Sequence, residues 1–292
     1  MPKLRHKIAV VAGASRGAGR GIARALGDAG ATVYVVGRTT RGGPPPPDGA
    51  PGTIEDTADE VTARGGRGIA VRADCTSEPD VAALFARVDQ DHGRVDLAVA
   101  AVWGGADAFP TTDAWQAAWS RPFWEQPPDA WRHMMAAPLA YYLTACHAAR
   151  LMARQRGRGL IVGVTDGILD GQPADAYGGQ LLWDLSHACI NRLLFAVGHE
   201  GRKHGITAIT LMPGFMRTER VVRALGDDER LKKQMRFDLS ETPEYLGRAV
   251  AALLGDPKAA RHGGGIRFVA DLAREYGFTD VDGRLVPRFN PF

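Results

Sequence analysis

Gly13, Gly17 and Gly19, with Ser15 and Arg16 between them, follow directly on the apolar run Lys7-Ile8-Ala9-Val10-Val11-Ala12. That spacing suits one chemistry. A backbone that turns tightly can approach a diphosphate with no Cβ in the way, and can meet its charge with amide N–H groups and the positive end of a helix. A strand-like run precedes the turn, and Ile22, Ala25 and Leu26 follow at helical spacing up to Gly30. Strand, turn and helix in that order are the context in which such glycines mark a dinucleotide site rather than a bare structural turn. A second run, Thr32-Val33-Tyr34-Val35-Val36, leads into Gly37-Arg38. A site for NAD(H) usually places an acid there to hold the ribose hydroxyls. A cation instead, joined by Arg16, suits a 2′-phosphate, so NADP(H) is the expected cofactor; the alternative is that both arginines are solvated surface cations.

The elements that must position these residues are readable from periodicity. Strand-like runs begin near residues 7, 32, 68, 95, 159, 206 and 265, with helical stretches between them. Regular βα alternation predicts an α/β fold, a doubly wound parallel seven-stranded sheet of Rossmann type with helices on both faces. With 292 residues, 45% of them hydrophobic, and no shift in composition, the chain reads as a single domain over 1–292. Two stretches interrupt the pattern. Residues 41–49, with prolines at 44 to 47, must be extended, since consecutive prolines enter neither helix nor ladder. Residues 103–128 are an aromatic-rich insertion carrying Trp103, Phe109, Trp115, Trp119, Phe123 and Trp124, which either line an apolar pocket or anchor the loop.

Composition excludes several classes. The net charge of +3 is small and dispersed, and the basic cluster Arg150, Arg154, Arg156 and Arg158 complements a helix end, so no nucleic acid is expected. No apolar run approaches the ~20 residues of a membrane span, and residues 1–7 lack the apolar region of a signal peptide. Cys75, Cys146 and Cys189 are odd in number and far apart, which indicates neither a disulfide framework nor a zinc site. A cytoplasmic protein is expected.

With these residues in view, the chain resembles the short-chain dehydrogenase/reductase family from about Lys7 to Arg284. The matching pieces are Gly13 to Gly19, Asp74-Cys75-Thr76, Asp96-Leu97-Ala98-Val99, and Leu211-Met212-Pro213-Gly214 with Thr218. The segments 270–284 and Phe123-Trp124-Glu125 resemble a subgroup related to the animal dehydrogenase/reductase member 1. The resemblance implies that Asp74, with Cys75 beside it, meets the adenine, and that Pro213, Gly214 and Thr218 lie along the nicotinamide carboxamide. It also implies that residues 215–240 are a substrate lid, and that the protein is a homodimer or homotetramer through long helices that include 183–201.

The same resemblance implies an active site of Asn, Ser, Tyr and Lys, and here the chain departs from it. Those positions fall at Ala136, Asp166, Trp183 and His187, with register fixed by Asn191-Arg192-Leu193 and His199-Glu200. An indole offers one N–H donor and no exchangeable acid near neutral pH, and losing a positioned general acid forfeits ~10²–10⁴ in rate. Asp166 and His187 are the remaining ionisable candidates, with His133 a weaker one; His187 could also simply hydrogen-bond the ribose in place of Lys. Tyr177 is the tyrosine nearest the family position and would be the catalytic acid of an ordinary carbonyl reductase with relocated residues, the fallback reading, but no Lys follows it at one helical turn. The leading expectation is an atypical NADPH-dependent reductase of a hydrophobic small molecule, an iminium, enone or ketone, with Trp183 stacking on substrate or cofactor. The alternatives are a redox-silent cyclase, isomerase or lyase using Asp166 and His187 as acid and base, and a nucleotide-binding pseudoenzyme.

Overall fold

The apolar run after Lys7 forms β1 (Ile8–Ala12), buried at every residue, as a strand covered on both faces must be. The computed structural model describes residues 2–155, 158–165 and 180–288. From β1 the chain alternates through α1 (Gly17–Asp28), β2 (Thr32–Gly37), α2 (Ile54–Ala63), β3 (Arg67–Arg72), α3 (Glu78–His92) and β4 (Leu97–Ala100). The insertion after β4 contains α4 (Gly105–Ala108), α5 (Thr112–Ser120) and a 3₁₀ turn, Phe123–Glu125. The long α6 (Pro128–Arg154), β5 (Gly159–Val164), α7 (Leu181–Gly201) and β6 (Ile206–Met212) follow. Next come α8 (Glu219–Leu225), α9 (Glu229–Gln234), α10 (Pro243–Gly255), β7 (Ile266–Phe268) and α11 (Val269–Tyr276).

The strands pair in parallel throughout, in the order β3-β2-β1-β4-β5-β6-β7. All seven strand-like runs of the sequence are therefore strands of one doubly wound sheet. The order reverses between β1 and β4, and a crevice opens beyond the carboxyl ends of strands at such a point. Register aligns those ends: Ala12 lies opposite Val36 on one side and Ala100 on the other.

One apolar layer packs Ile22 and Leu26 of α1, Tyr245, Leu246 and Val250 of α10, and Leu272 of α11 on one face of the sheet. On the other face lie Val81, Phe85 and Val88 of α3 with Leu151 and Met152 of α6. A smaller cluster of Phe109, Ala118, Ala130, Met134 and Leu182 ties the insertion to α6 and α7. The prolines at 44 to 47 lie in neither helix nor strand. Residues 216–239 hold α8, α9 and a 3₁₀ turn at Phe237–Leu239, divided by Gly226.

Candidate functional site

The glycine turn joins β1 to α1 at the point where the sheet reverses. Gly13 donates its N–H to Val36 O at 2.9 Å and has φ 80°, and a Cβ there would sit 2.6 Å from Ala101 O. At Gly19 a Cβ would lie 2.3 Å from Gly13 O. Only glycine lets strand, turn and helix approach this closely. The N-cap residue of α1, Arg16, makes no side-chain cap bond, and the first turn holds no acid. The Gly17 amide nevertheless has an anionic partner: Glu219 Oε2 accepts its N–H at 2.8 Å. A turn that already holds one anion on its amide fits the diphosphate of a dinucleotide, by charge and by the closeness of its backbone. Ser15 is buried against the end of β2.

The arginines expected to hold a 2′-phosphate are both at the carboxyl end of β2, and both have protein partners. Arg16 donates to Thr39 Oγ1 at 2.7 Å and faces Asp48 Oδ1 at 3.5 Å. Burial lowers its pKa, Asp48 and Glu219 oppose that shift, and the charge of Arg38 adds to it. Arg38 donates to Asp107 Oδ2 at 2.7 Å. Burial works against its charge, but the hydrogen bond and charge of Asp107, with the charge of Asp74, prevail and raise its pKa. Neither arginine is thus a merely solvated cation. Asp74 accepts from Thr76 N and Oγ1, at 2.9 and 2.7 Å, closing the turn after β3. The Cys75 thiol is buried beside Asp74, and burial, reinforced by that charge, pushes its pKa up to about 12, so it is a neutral packing group.

Beyond β6, Gly214 donates its N–H to Glu241 Oε2 at 2.8 Å, while the Glu241 main chain bonds Phe215 O and Arg217 N. Thr218 Oγ1 caps α8 by accepting from Val221 N. Glu241 is fully buried, and Oε1 has no hydrogen-bond partner among the described residues. Burial pushes its pKa up to about 8 against the Gly214 amide; the charge of Asp280 adds to the rise and Arg217 opposes it.

The fourth wall is aromatic. Trp183, on the first turn of α7, lies 5.8, 5.6 and 5.7 Å from the rings of Trp103, Trp115 and Trp119. His187, one turn on and buried, packs 4.6 Å from Trp183. Its Nδ1 is 2.8 Å from Trp183 O. A carbonyl only accepts, so Nδ1 carries a proton and donates it to this bond. The indole N–H groups of Trp103 and Trp119 are buried without partners among the described residues. The insertion's aromatics therefore divide: Trp103, Phe109, Trp115 and Trp119 pack together, while Phe123 and Trp124 are 61% and 72% exposed. Asp166 and Tyr177 lie outside the described residues.

Sequence reasoning missed Glu219, Glu241, Asp48 and Asp107. Each meets its partner across a long stretch of chain, and no local pattern marks such a pairing. Among the described residues no group of three or more His, Cys, Asp or Glu could hold a metal ion, and no helix is long and apolar enough to cross a membrane.

Comparison with known proteins follows the same outline. The dehydrogenase/reductase SDR family member 1 of Mus musculus is 36% identical over 97% of this chain and 86% of its own length. The fold matches a short chain dehydrogenase from Mycobacterium thermoresistibile with a TM-score of 0.76 at 23% identity, over 97% of this chain and 92% of that one. A metagenomic short-chain oxidoreductase in complex with NADP matches with a TM-score of 0.65 at 22% identity, over 91% and 97%. The pattern described as short chain dehydrogenase matches residues 7–229. That span starts just before the first strand and takes in the glycine turn, the aromatic insertion and the Pro213-Gly214 turn: the chain belongs to the short-chain dehydrogenase/reductase family.

Proposed function

We propose that the protein is an NADPH-dependent reductase of a hydrophobic small molecule whose electrophilic atom needs no general acid, an iminium ion or an enone ahead of a ketone. The observation that carries this reading is the packing of Trp183 and His187, the pair we assign to the family's Tyr and Lys positions. Trp183 is packed among three other indoles, and its carbonyl holds the Nδ1 proton of His187. Neither group can serve as a phenol and an ammonium would: the indole is no acid near neutral pH, and the imidazole proton is already committed. An iminium ion arrives activated, and an enone can take its proton from water, so the ~10²–10⁴ lost with a positioned acid falls mainly on ketones.

When bound, NADPH supplies the hydride. Gly13 to Gly19 supply the cradle for its diphosphate. Arg16 and Arg38 are proposed to exchange Asp48 and Asp107 for the 2′-phosphate. Pro213, Gly214 and Thr218 are assigned to the nicotinamide side, Asp74 to the adenine side, and His187 to the ribose. The aromatic wall excludes water and offers the N–H groups of Trp103 and Trp119 to an acceptor atom on the substrate. Asp166 is proposed to stabilise a cationic substrate, and residues 215–240 to act as the lid.

The test is titration with NADPH and NADH by fluorescence, then absorbance at the reduced nicotinamide band against cyclic imines, enones and ketones. Oxidation by an imine or enone, with little by simple ketones, is expected, and Trp183→Tyr with His187→Lys should bring in ketone reduction. Tight NADPH binding with no oxidation by any compound would replace this reading with redox-silent catalysis.

A further inference from the structure

Helix α1 leaves its own anion requirement unmet. Its first amides are donors without intrahelical partners, and Arg16 provides no cap. The carboxylate that meets the Gly17 amide comes from 202 residues further along the chain. Glu219 Oε2 takes that N–H at 2.8 Å, and Oε1 faces Arg20 Nη1 at 3.4 Å, while Arg20 is also held by Glu60 at 2.5 Å. The carboxylate thus has the charge and the donors that suit a phosphate at a helix start.

The residues next to Glu219 carry the same helix across the rest of the crevice. The Arg220 guanidinium lies 4.7 Å from the Trp103 ring and 5.4 Å from that of Trp115, and donates to Phe109 O at 2.7 Å. Arg223 donates to Gly49 O at 2.8 Å and Asp48 O at 3.2 Å. One short helix therefore touches the glycine turn, the proline-rich loop and the aromatic insertion at once. Its only buried residue is Leu225, so little apolar packing opposes its release.

We propose that Glu219 is an internal stand-in for the cofactor's diphosphate and sets the affinity of the dinucleotide site. Binding exchanges one anion for another on the Gly17 amide. The displaced α8 then draws Arg220 away from the indoles, so the aromatic pocket opens to substrate only after the cofactor is in place. This rests on the dinucleotide reading of the turn. The exchange makes the measured affinity lower than the open turn alone would give, by the fraction of molecules in which Glu219 is seated.

The experiment compares the parent protein with Glu219→Gln and Glu219→Ala, by calorimetric titration with NADPH and by thermal melting without it. Both variants should bind NADPH about tenfold tighter, the scale of one hydrogen bond to a charged group, while melting at a lower temperature. A purely structural cap would lower the melting temperature and leave affinity unchanged or weaker, and that result overturns the exchange. If all three proteins bind NADPH alike, the dinucleotide reading stands and the exchange alone falls. If none binds NADPH or NADH, both fall. Glu219→Gln keeps the volume and one acceptor, so it carries the test should Glu219→Ala fail to fold. In the parent protein, NADP⁺ should also increase quenching of tryptophan emission by acrylamide, as Arg220 leaves Trp103 and Trp115; unchanged quenching counts against the exchange.

Discussion

Arg38 and Asp107 form an ion pair at 2.7 Å in which the arginine side chain is still 55% exposed. Such a pair gains little from Coulomb attraction in water, so a phosphate can replace Asp107 at small cost. Arg38→Asp should therefore weaken NADPH far more than NADH in paired titrations, and equal losses would remove the 2′-phosphate assignment. At this scale the sequence was legible wherever a residue's task is set by its neighbours in the chain. Gly13 and Gly19 are demanded by a turn that their own flanking runs announce. Trp183 and His187 were singled out by register alone, yet the edge-on and tilted ring contacts and the Nδ1 bond that surround them depend on three dimensions. Cys75 was expected beside the adenine, and its buried, neutral thiol suits packing.

The elements were legible from period and punctuation, because the inner strands such as β1 and β4 are buried on both faces and read as uninterrupted apolar runs, while the edge strands β3 and β7 are only partly buried. The insertion was read as an undivided aromatic loop; it contains α4, α5 and a 3₁₀ turn because Trp103, Phe109, Trp115 and Trp119 have one another to pack against. The segment after β6 has a property that no motif carries. Glu241 ties Gly214, Phe215 and Arg217 into one unit, and its carboxyl is pushed up to about 8 by burial, with Asp280 adding to the rise. Between an unfolded carboxyl near 4.5 and that value the folded state retains a proton the unfolded chain has lost. Stability from this group is thus full below about pH 4.5 and declines as pH rises toward 8. Glu241→Gln should flatten that decline in melting curves taken from pH 5 to 9, and an unchanged slope would show that the carboxyl ionises elsewhere in the range.

For the whole molecule, the sheet order brings β1 and β4 side by side and gathers residues from positions 13 to 241 around one crevice. Alternation could foretell a parallel sheet but not which side chains from its two halves would meet. The long helices α6 and α7 expose Leu139 and Tyr142 on one and Leu185 and Phe195 on the other. In keeping with the family, these helices are expected to pair two copies, so light scattering should give a dimer or tetramer mass and Tyr142→Glu with Phe195→Glu should reduce it; a monomeric parent protein would refute this. The contact between Gly17 and Glu219 also orders events in time. Its partners are 202 residues apart, and at about 5–20 residues per second a ribosome needs roughly 10–40 s to travel between them. For that interval the nascent chain carries Gly17 without the carboxylate that later holds its amide, so the glycine turn is made well before its internal anion.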